Sequence, residues 1–236
     1  MRKNILVFIP CCKSKVDSGH IIEPQKSLSL NNLPNMWEKL KAGRKVMDYC
    51  IKKNSNETTA LYIYHGALYN IFRYNIQRIV NDIKNGYYNI YIISAGYGII
   101  NALEPIYNYD ALLEKEVARH WKNYNLEDII GEILVNEKPS NVFGFFAGYP
   151  IWSGPGSKYR YFFTEGVKRS ISNGLDLDIS GCFYRKEGRG VTAILGALGR
   201  TLVDLINNNF DASFISKIDE NNRIYGNVEI GFDRII

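Results

Sequence analysis

Short apolar runs recur at wide intervals along the chain, between longer stretches in which apolar and polar residues mix. Because the runs lack strict alternation, they are typical of central strands covered on both faces of a sheet. The predicted strands are Ile5 to Ile9, Ala60 to Tyr64, Ile90 to Ser94, Val142 to Phe146, Ile179 to Tyr184 and Ser213 to Ile218. A hairpin is predicted at about 211–234, with its turn at Glu220-Asn221-Asn222 and Tyr225 to Ile230 as the returning strand.

Between these runs, apolar residues return every three to four positions, which is the spacing of an amphipathic helix. The clearest stripe comprises Leu68, Ile71, Phe72, Ile76, Ile79, Val80 and Ile83, and it predicts a helix that ends at Gly86. Further helices are predicted from Ile194 to Ile206, from Trp37 to Ile51 with an interruption at Gly43, and over 111–124 and 126–135, divided near Asn125.

Strands that alternate with helices predict an α/β fold with a mostly parallel central sheet flanked by helices. The 236 residues, of which 46% are hydrophobic and 22% charged, suit a single compact domain over 1–236. No apolar run approaches the length of a membrane span, and the apolar run near Met1 is too short for a signal peptide. Four cysteines without a CxxC pair favour a reduced, cytoplasmic setting.

The charge balance allows an anionic partner without requiring one. A net charge of +5 is compatible with a polyanion, and equally with an ordinary basic protein. The 17 tyrosines are a second bias, because a tyrosine ring can stack on a base while its hydroxyl contacts a phosphate. No membrane contact and no protein partner is predicted.

Candidate chemistry follows the predicted strands, because sites in open α/β sheets gather at the carboxyl ends of the strands. The segments there are rich in glycine, cations and tyrosine, and Glu104 and Asp110 can serve as a general acid or base. Candidate phosphate contacts are Lys13, Ser14, Lys15, Lys158, Arg160, Arg185, Lys186 and Arg189. Candidate stacking residues are Tyr97, Tyr107, Tyr109, Tyr149 and Tyr159.

Several of these residues have plainer alternatives. Asp110 can cap the helix that follows it, and Glu104 can pair with an arginine. Cys11 or Cys12 can act as a nucleophile if His65 serves as its base, or both can be small residues at the end of a strand. The chain lacks a GxxxxGK[ST] loop, a GxGxxG loop, a GxSxG elbow and an HExxH motif, so no cofactor or metal is predicted.

Three stretches resemble, in the same order, the signatures of the YaaA-like and DUF6884 proteins. SAGYGIINALEPIYNYDALL is similar to the central block of that family, and IPCCKSK to its first-strand signature of a proline, a polar turn and a lysine. FYRKEGRGVTAILGALGRTLVD is similar to the segment in which Phe-Tyr, basic residues and Arg-Gly lead into a helix. The chain differs where Ala102 and Asn108 replace prolines, Glu104 replaces aspartate and Asp110 replaces arginine.

The resemblance implies a DNA-binding α/β protein related to the uracil-DNA-glycosylase-like folds. It predicts a DNA glycosylase that excises a modified or damaged base, as some relatives do in defence against phage, with Asp110 as the first choice of catalytic carboxylate and Glu104 as the second. One alternative is a non-catalytic protein that binds double-stranded DNA in a stress response. The other is an N-glycosidase or transferase that acts on free nucleosides or nucleotides.

Overall fold

The fold is built on a seven-stranded sheet. The computed structural model describes residues 4–148 and 156–235. Its strands are β1 (Ile5–Pro10), β2 (Thr58–Thr59), β3 (Asn89–Ser94), β4 (Gly98–Asn101), β5 (Pro105–Ile106), β6 (Asn141–Phe145), β7 (Ile179–Glu187), β8 (Arg223–Tyr225) and β9 (Val228–Arg234). The order across the sheet is β4-β3-β1-β6-β7-β9-β8, and β2 pairs with β5 apart from it.

Helices cover both faces of the sheet. They are α1 (Trp37–Val46), α2 (Ala60–Ile63), α3 (Ala67–Arg73), α4 (Ile76–Lys84), α5 (Lys115–Asn123), α6 (Leu126–Glu137), α7 (Ser157–Ser172), α8 (Val191–Asn207) and α9 (Ala212–Asn221). Helix α3 packs on α8, and α6 packs on α7. Right-handed crossovers put these two pairs on opposite faces, because the chain moves from β1 to β3 in one direction and from β3 through β6 to β7 in the other.

The pairing pattern confirms the predicted α/β class. The central strands β3, β1, β6 and β7 are parallel, while β4 and β9 add antiparallel neighbours. Every residue of β1 is buried, as expected of a strand that has a partner on each side and helices on each face. Within the described ranges, no helix combines the length and the apolar character needed to cross a membrane.

Two predicted strands are helical instead. Ala60 to Tyr64 contains α2, and the strand before it is only Thr58–Thr59. Ser213 to Ile218 lies in α9, where the Asp211 carboxylate accepts from the N–H groups of Ser213 and Phe214 and so caps the helix. The predicted hairpin is therefore β8–β9, and it turns after Tyr225 rather than at Glu220-Asn221-Asn222.

The predicted helices are present with different divisions. The long stripe from Leu68 is two helices, α3 and α4, which are separated at Tyr74 and Asn75. Helix α1 continues through Gly43, where a Cβ atom would lie 2.7 Å from the Trp121 ring. The division between α5 and α6 is confirmed at Asn125, which adopts a left-handed conformation with φ of 56°.

Two glycines of α8 provide a matched test of the α3–α8 packing. A Cβ atom at Gly199 would lie 2.7 Å from the Leu68 carbonyl oxygen, whereas one at Gly196 would have no atom within 4 Å. We expect Gly199→Ala to lower the free energy of unfolding by ~1–3 kcal/mol through overpacking. Gly196→Ala should raise it by up to ~1 kcal/mol through helix propensity. Urea denaturation measures both, and equal effects would contradict the close packing of α3 on α8.

Candidate functional site

The register of three parallel strands brings the predicted site loops to one edge of the sheet. Phe8 of β1 pairs with Gly144 of β6, which pairs with Cys182 of β7. Cys11 and Arg185 each lie three residues beyond this paired row, because β7 continues past it. Arg185 is therefore level with Cys11. At ~4.8 Å per strand, their backbones are about 10 Å apart. We call this region the carboxyl edge, defined by the loops that follow β1, β3 and β7, together with 107–110, where the Tyr109 ring contacts Lys15.

The loop after β1 is held by a neighbouring segment. Val16 N–H donates to the Ile63 carbonyl at 2.7 Å, and Ser14 O accepts from His65 N–H at 2.9 Å. Lys15 lies between these bonds and forms an antiparallel bridge with Tyr64. The loop after β1 is therefore an ordered turn with side chains in fixed positions.

A buried group of hydroxyls and a thiol lies beneath this loop. The Tyr64 and Tyr109 hydroxyls are 2.9 Å apart, and Ser94 Oγ donates to the Tyr109 hydroxyl at 3.1 Å. Cys11 Sγ lies 3.2 Å from the Tyr159 hydroxyl. Burial raises the pKa of all three tyrosines well above the usual range, so their hydroxyls stay neutral. We call these five residues the hydroxyl–thiol cluster.

The second cysteine of the loop has a structural environment. Cys12 Sγ accepts from Gly66 N–H at 3.1 Å and donates to the Ser14 carbonyl at 3.0 Å. Burial raises the pKa of Cys12 to about 11, so it is a neutral thiol at pH 7. Burial also lowers the pKa of His65, and the Arg73 charge adds to that shift. These contacts favour the interpretation of Cys12 as a strand-end residue over that of a nucleophile.

Lys15 contacts the ring of Tyr109, the residue before Asp110, at the carboxyl edge. Lys15 Nζ is 3.8 Å from the centre of the Tyr109 ring and donates to the Lys13 carbonyl at 3.3 Å. Burial lowers the pKa of Lys15, and the Asp110 carboxylate acts in the opposite direction. Asp110 is exposed, and its N–H donates to the Cys50 carbonyl at 3.0 Å. It does not cap a helix, because α5 begins only at Lys115.

Glu104 is buried and fully engaged. Its carboxylate accepts from Arg44 Nη1 at 2.8 Å, from Asn101 N–H at 3.3 Å and from Leu28 N–H at 3.4 Å. The same guanidinium donates to two carbonyl groups at β4, so the ion pair satisfies backbone hydrogen bonds at that edge of the sheet. Glu104 is 4% exposed. This is the arginine pairing left open by the sequence, and it gives Glu104 no access to a substrate.

Two further candidates are tied into the interior. Arg160 is 2% exposed, forms an ion pair with Asp233 and donates to the Gly148 carbonyl at 3.1 Å. Its guanidinium stacks 4.7 Å from the centre of the Tyr184 ring. Tyr109 is buried as well, so neither residue presents a surface to a phosphate or a base.

The other candidates are more accessible. Tyr97 is half-buried, and Tyr149 lies outside the described residues. Lys186 is 3.6 Å from Glu229. Lys13, Ser14, Lys186 and Arg189 are exposed, and Lys158, Tyr159 and Arg185 are half-buried.

A groove next to Asp110 was not predicted. It encloses about 500 Å³, and its lining combines cations with two tyrosine rings: Arg44, Lys45, Asp48, Ile51, Lys53, Tyr97 and Tyr107. It adjoins Asp110 because Ile51 and Tyr109 form a backbone bridge. The signal for this groove was the run of lysines and arginines over 39–53, which was interpreted only as part of a helix.

No protein-family model, curated protein or solved structure matches this chain. The likeness to the YaaA-like proteins therefore stays a prediction. In the part of the chain that the structure describes, no group of three or more His, Cys, Asp or Glu side chains is placed to hold a metal ion.

Glu104 and Glu116 provide a matched test of the buried ion pair. Glu104→Gln leaves Arg44 without its counter-charge, and we expect it to lower the free energy of unfolding by about 3 kcal/mol. Glu116 pairs with Arg119 at the surface, with side chains 79% and 67% exposed. Glu116→Gln should therefore change stability by less than ~0.5 kcal/mol. If urea denaturation shows that Glu104→Gln is as stable as the wild type, the ion pair does not support the fold.

Proposed function

We propose that this protein is a DNA glycosylase-type enzyme that hydrolyses the bond between a modified or damaged base and its sugar. The observation that carries the proposal is the exposed Asp110 carboxylate, which follows Tyr109 of the hydroxyl–thiol cluster in the chain and whose charge acts on Lys15. Asp110 is thus the accessible member of the two predicted carboxylates, since Glu104 is occupied by Arg44.

The arrangement suits the chemistry of glycosidic cleavage. The sugar develops positive charge as the base leaves, and a carboxylate can stabilise that charge or activate the attacking water. The rings of Tyr97 and Tyr107, which line the groove next to Asp110, are suited to stack on a base extruded from the duplex.

The charges around the carboxyl edge suit a nucleic-acid backbone. Exposed cations stand on both sides of Asp110: Lys13 and Arg189 after β1 and β7, and Lys45, Lys52 and Lys53 near the groove. Cations on both sides of a carboxylate can hold phosphates that flank one reacting nucleotide. This favours a polymer over a free nucleoside as the substrate.

One observation favours the alternative of a non-catalytic DNA-binding protein. Glu104, Tyr109 and Arg160, which were predicted as catalytic or contact residues, are all buried in interactions of the fold. A protein that only binds DNA would need the exposed cations and no reactive carboxylate.

Mass spectrometry of bases released from phage and bacterial DNA separates these functions. We expect the wild type to release a base and leave abasic sites, and Asp110→Asn to abolish release while DNA affinity stays within about threefold. Asp176→Asn is a control, since Asp176 is exposed at the opposite edge of the sheet. Full release by Asp110→Asn would remove Asp110 from the mechanism. Binding without release from any DNA would support the non-catalytic alternative, and release from nucleosides alone the small-molecule one.

Salt dependence tests the backbone contacts. Lys13→Ala combined with Arg189→Ala should weaken duplex binding and flatten the plot of log affinity against log salt by about 1.8, or ~0.9 per lost phosphate contact. Lys84→Ala combined with Lys217→Ala removes the same charge from exposed positions on α4 and α9, and should leave the slope unchanged. Equal slopes for both double variants would show that DNA does not contact the carboxyl edge.

A further inference from the structure

Lys15 differs from the other lysines of the carboxyl edge in its surroundings. Lys13 is exposed, whereas Lys15 is half-buried. Lys15 Nζ lies between two aromatic rings, 3.8 Å from the centre of Tyr109 and 5.9 Å from that of Tyr64. The backbone on both sides of Lys15 is bonded to 63–65, so the amine is held in place rather than swinging on a free loop. A phosphate contact at the surface needs none of these restraints.

Burial is the largest influence on the pKa of this amine. Burial lowers the pKa of Lys15 and repulsion from Lys52 adds to that shift, whereas the Asp110 carboxylate acts in the opposite direction. Cys12 is a neutral thiol at pH 7, so it supplies no negative charge to retain the Lys15 proton. A lysine that is desolvated and lies near another cation is the kind that attacks carbonyl carbons and forms imines.

We propose that Lys15 Nζ is a nucleophile that gives the protein a second activity, cleavage of DNA at an abasic site through an imine between Lys15 and the sugar. The position of the amine carries the proposal, because it is restrained at the carboxyl edge by the Lys15–Tyr64 bridge and lies 3.8 Å from the ring of Tyr109, the residue before the exposed Asp110. The inference rests on the proposed function, since the release of a base leaves an abasic sugar at the same place.

The steps balance without any oxidant or cofactor. The Nζ lone pair bonds to C1′ of the open-chain aldehyde sugar, and the electrons of the carbonyl π bond move to its oxygen. The oxygen takes one proton from Nζ and one from solvent and leaves as water. A protonated imine remains. The Asp110 carboxylate then takes a proton from C2′, a C2′–C3′ double bond forms, and the C3′–O bond breaks with its electron pair on the phosphate. Water hydrolyses the imine and restores Lys15.

Borohydride trapping tests this proposal without knowledge of the target base. The probe is a duplex oligonucleotide with one preformed abasic site, incubated with the protein and sodium borohydride. Hydride adds to C1′ of the imine and makes a stable secondary amine, so a covalent protein–DNA adduct should appear on a denaturing gel. Peptide mass spectrometry should place the adduct on Lys15.

The variants separate nucleophilicity from charge. Lys15→Arg keeps the positive charge but cannot form the imine, so trapping and strand cleavage should be lost while duplex affinity is kept. Lys217→Arg on α9 is the matched control and should trap as the wild type does. An adduct on another lysine, unchanged trapping by Lys15→Arg, or no adduct with the wild type would overturn the proposal. Base release without an adduct would leave the glycosylase function standing and remove only the lyase step.

Discussion

The position of β1 between β3 and β6 is the constraint on which the site depends. The chain leaves β1 for β3 on one side and returns past it to β6 on the other, so the direction of the chain across the sheet reverses at β1, and ligands of open α/β sheets bind at such a reversal. Because β1 is buried on both faces, its register with its neighbours is strongly specified. That register fixes the positions of Cys11 and Arg185 along their strands. It therefore fixes where the loops after β1 and β7 come together.

Burial then decides which of the polar groups at this edge remain available. Glu104 and Arg160 are consumed by Arg44 and Asp233, and these ion pairs hold the ends of β4 and β6. The tyrosines of the hydroxyl–thiol cluster are kept neutral by the same lack of solvent that makes them rigid. Asp110 stays exposed and Lys15 lies half-buried over the Tyr109 ring, and this carboxylate and amine are the basis of the proposed glycosidic and imine chemistry.

The sequence predicted the central strands because β1, β3, β6 and β7 are apolar runs that only a doubly covered sheet can bury. It failed at Ala60 to Tyr64 and Ser213 to Ile218, because the apolar residues of a segment only five or six residues long do not distinguish a strand from a helix. Local patterns also located the carboxyl edge. They could not show that Glu104 meets Arg44, because that contact joins residues 60 positions apart.

Hydrogen–deuterium exchange of backbone amides, with and without duplex DNA, tests most directly whether nucleic acid binds at the carboxyl edge. Bound DNA should slow exchange in the loops at 11–16, 107–110 and 186–191. The opposite edge of the sheet, at 138–141, 174–178 and 208–211, should exchange as in the free protein. Slower exchange confined to the opposite edge, or no change at either edge with DNA in excess, would contradict a nucleic-acid site built on the end of β1.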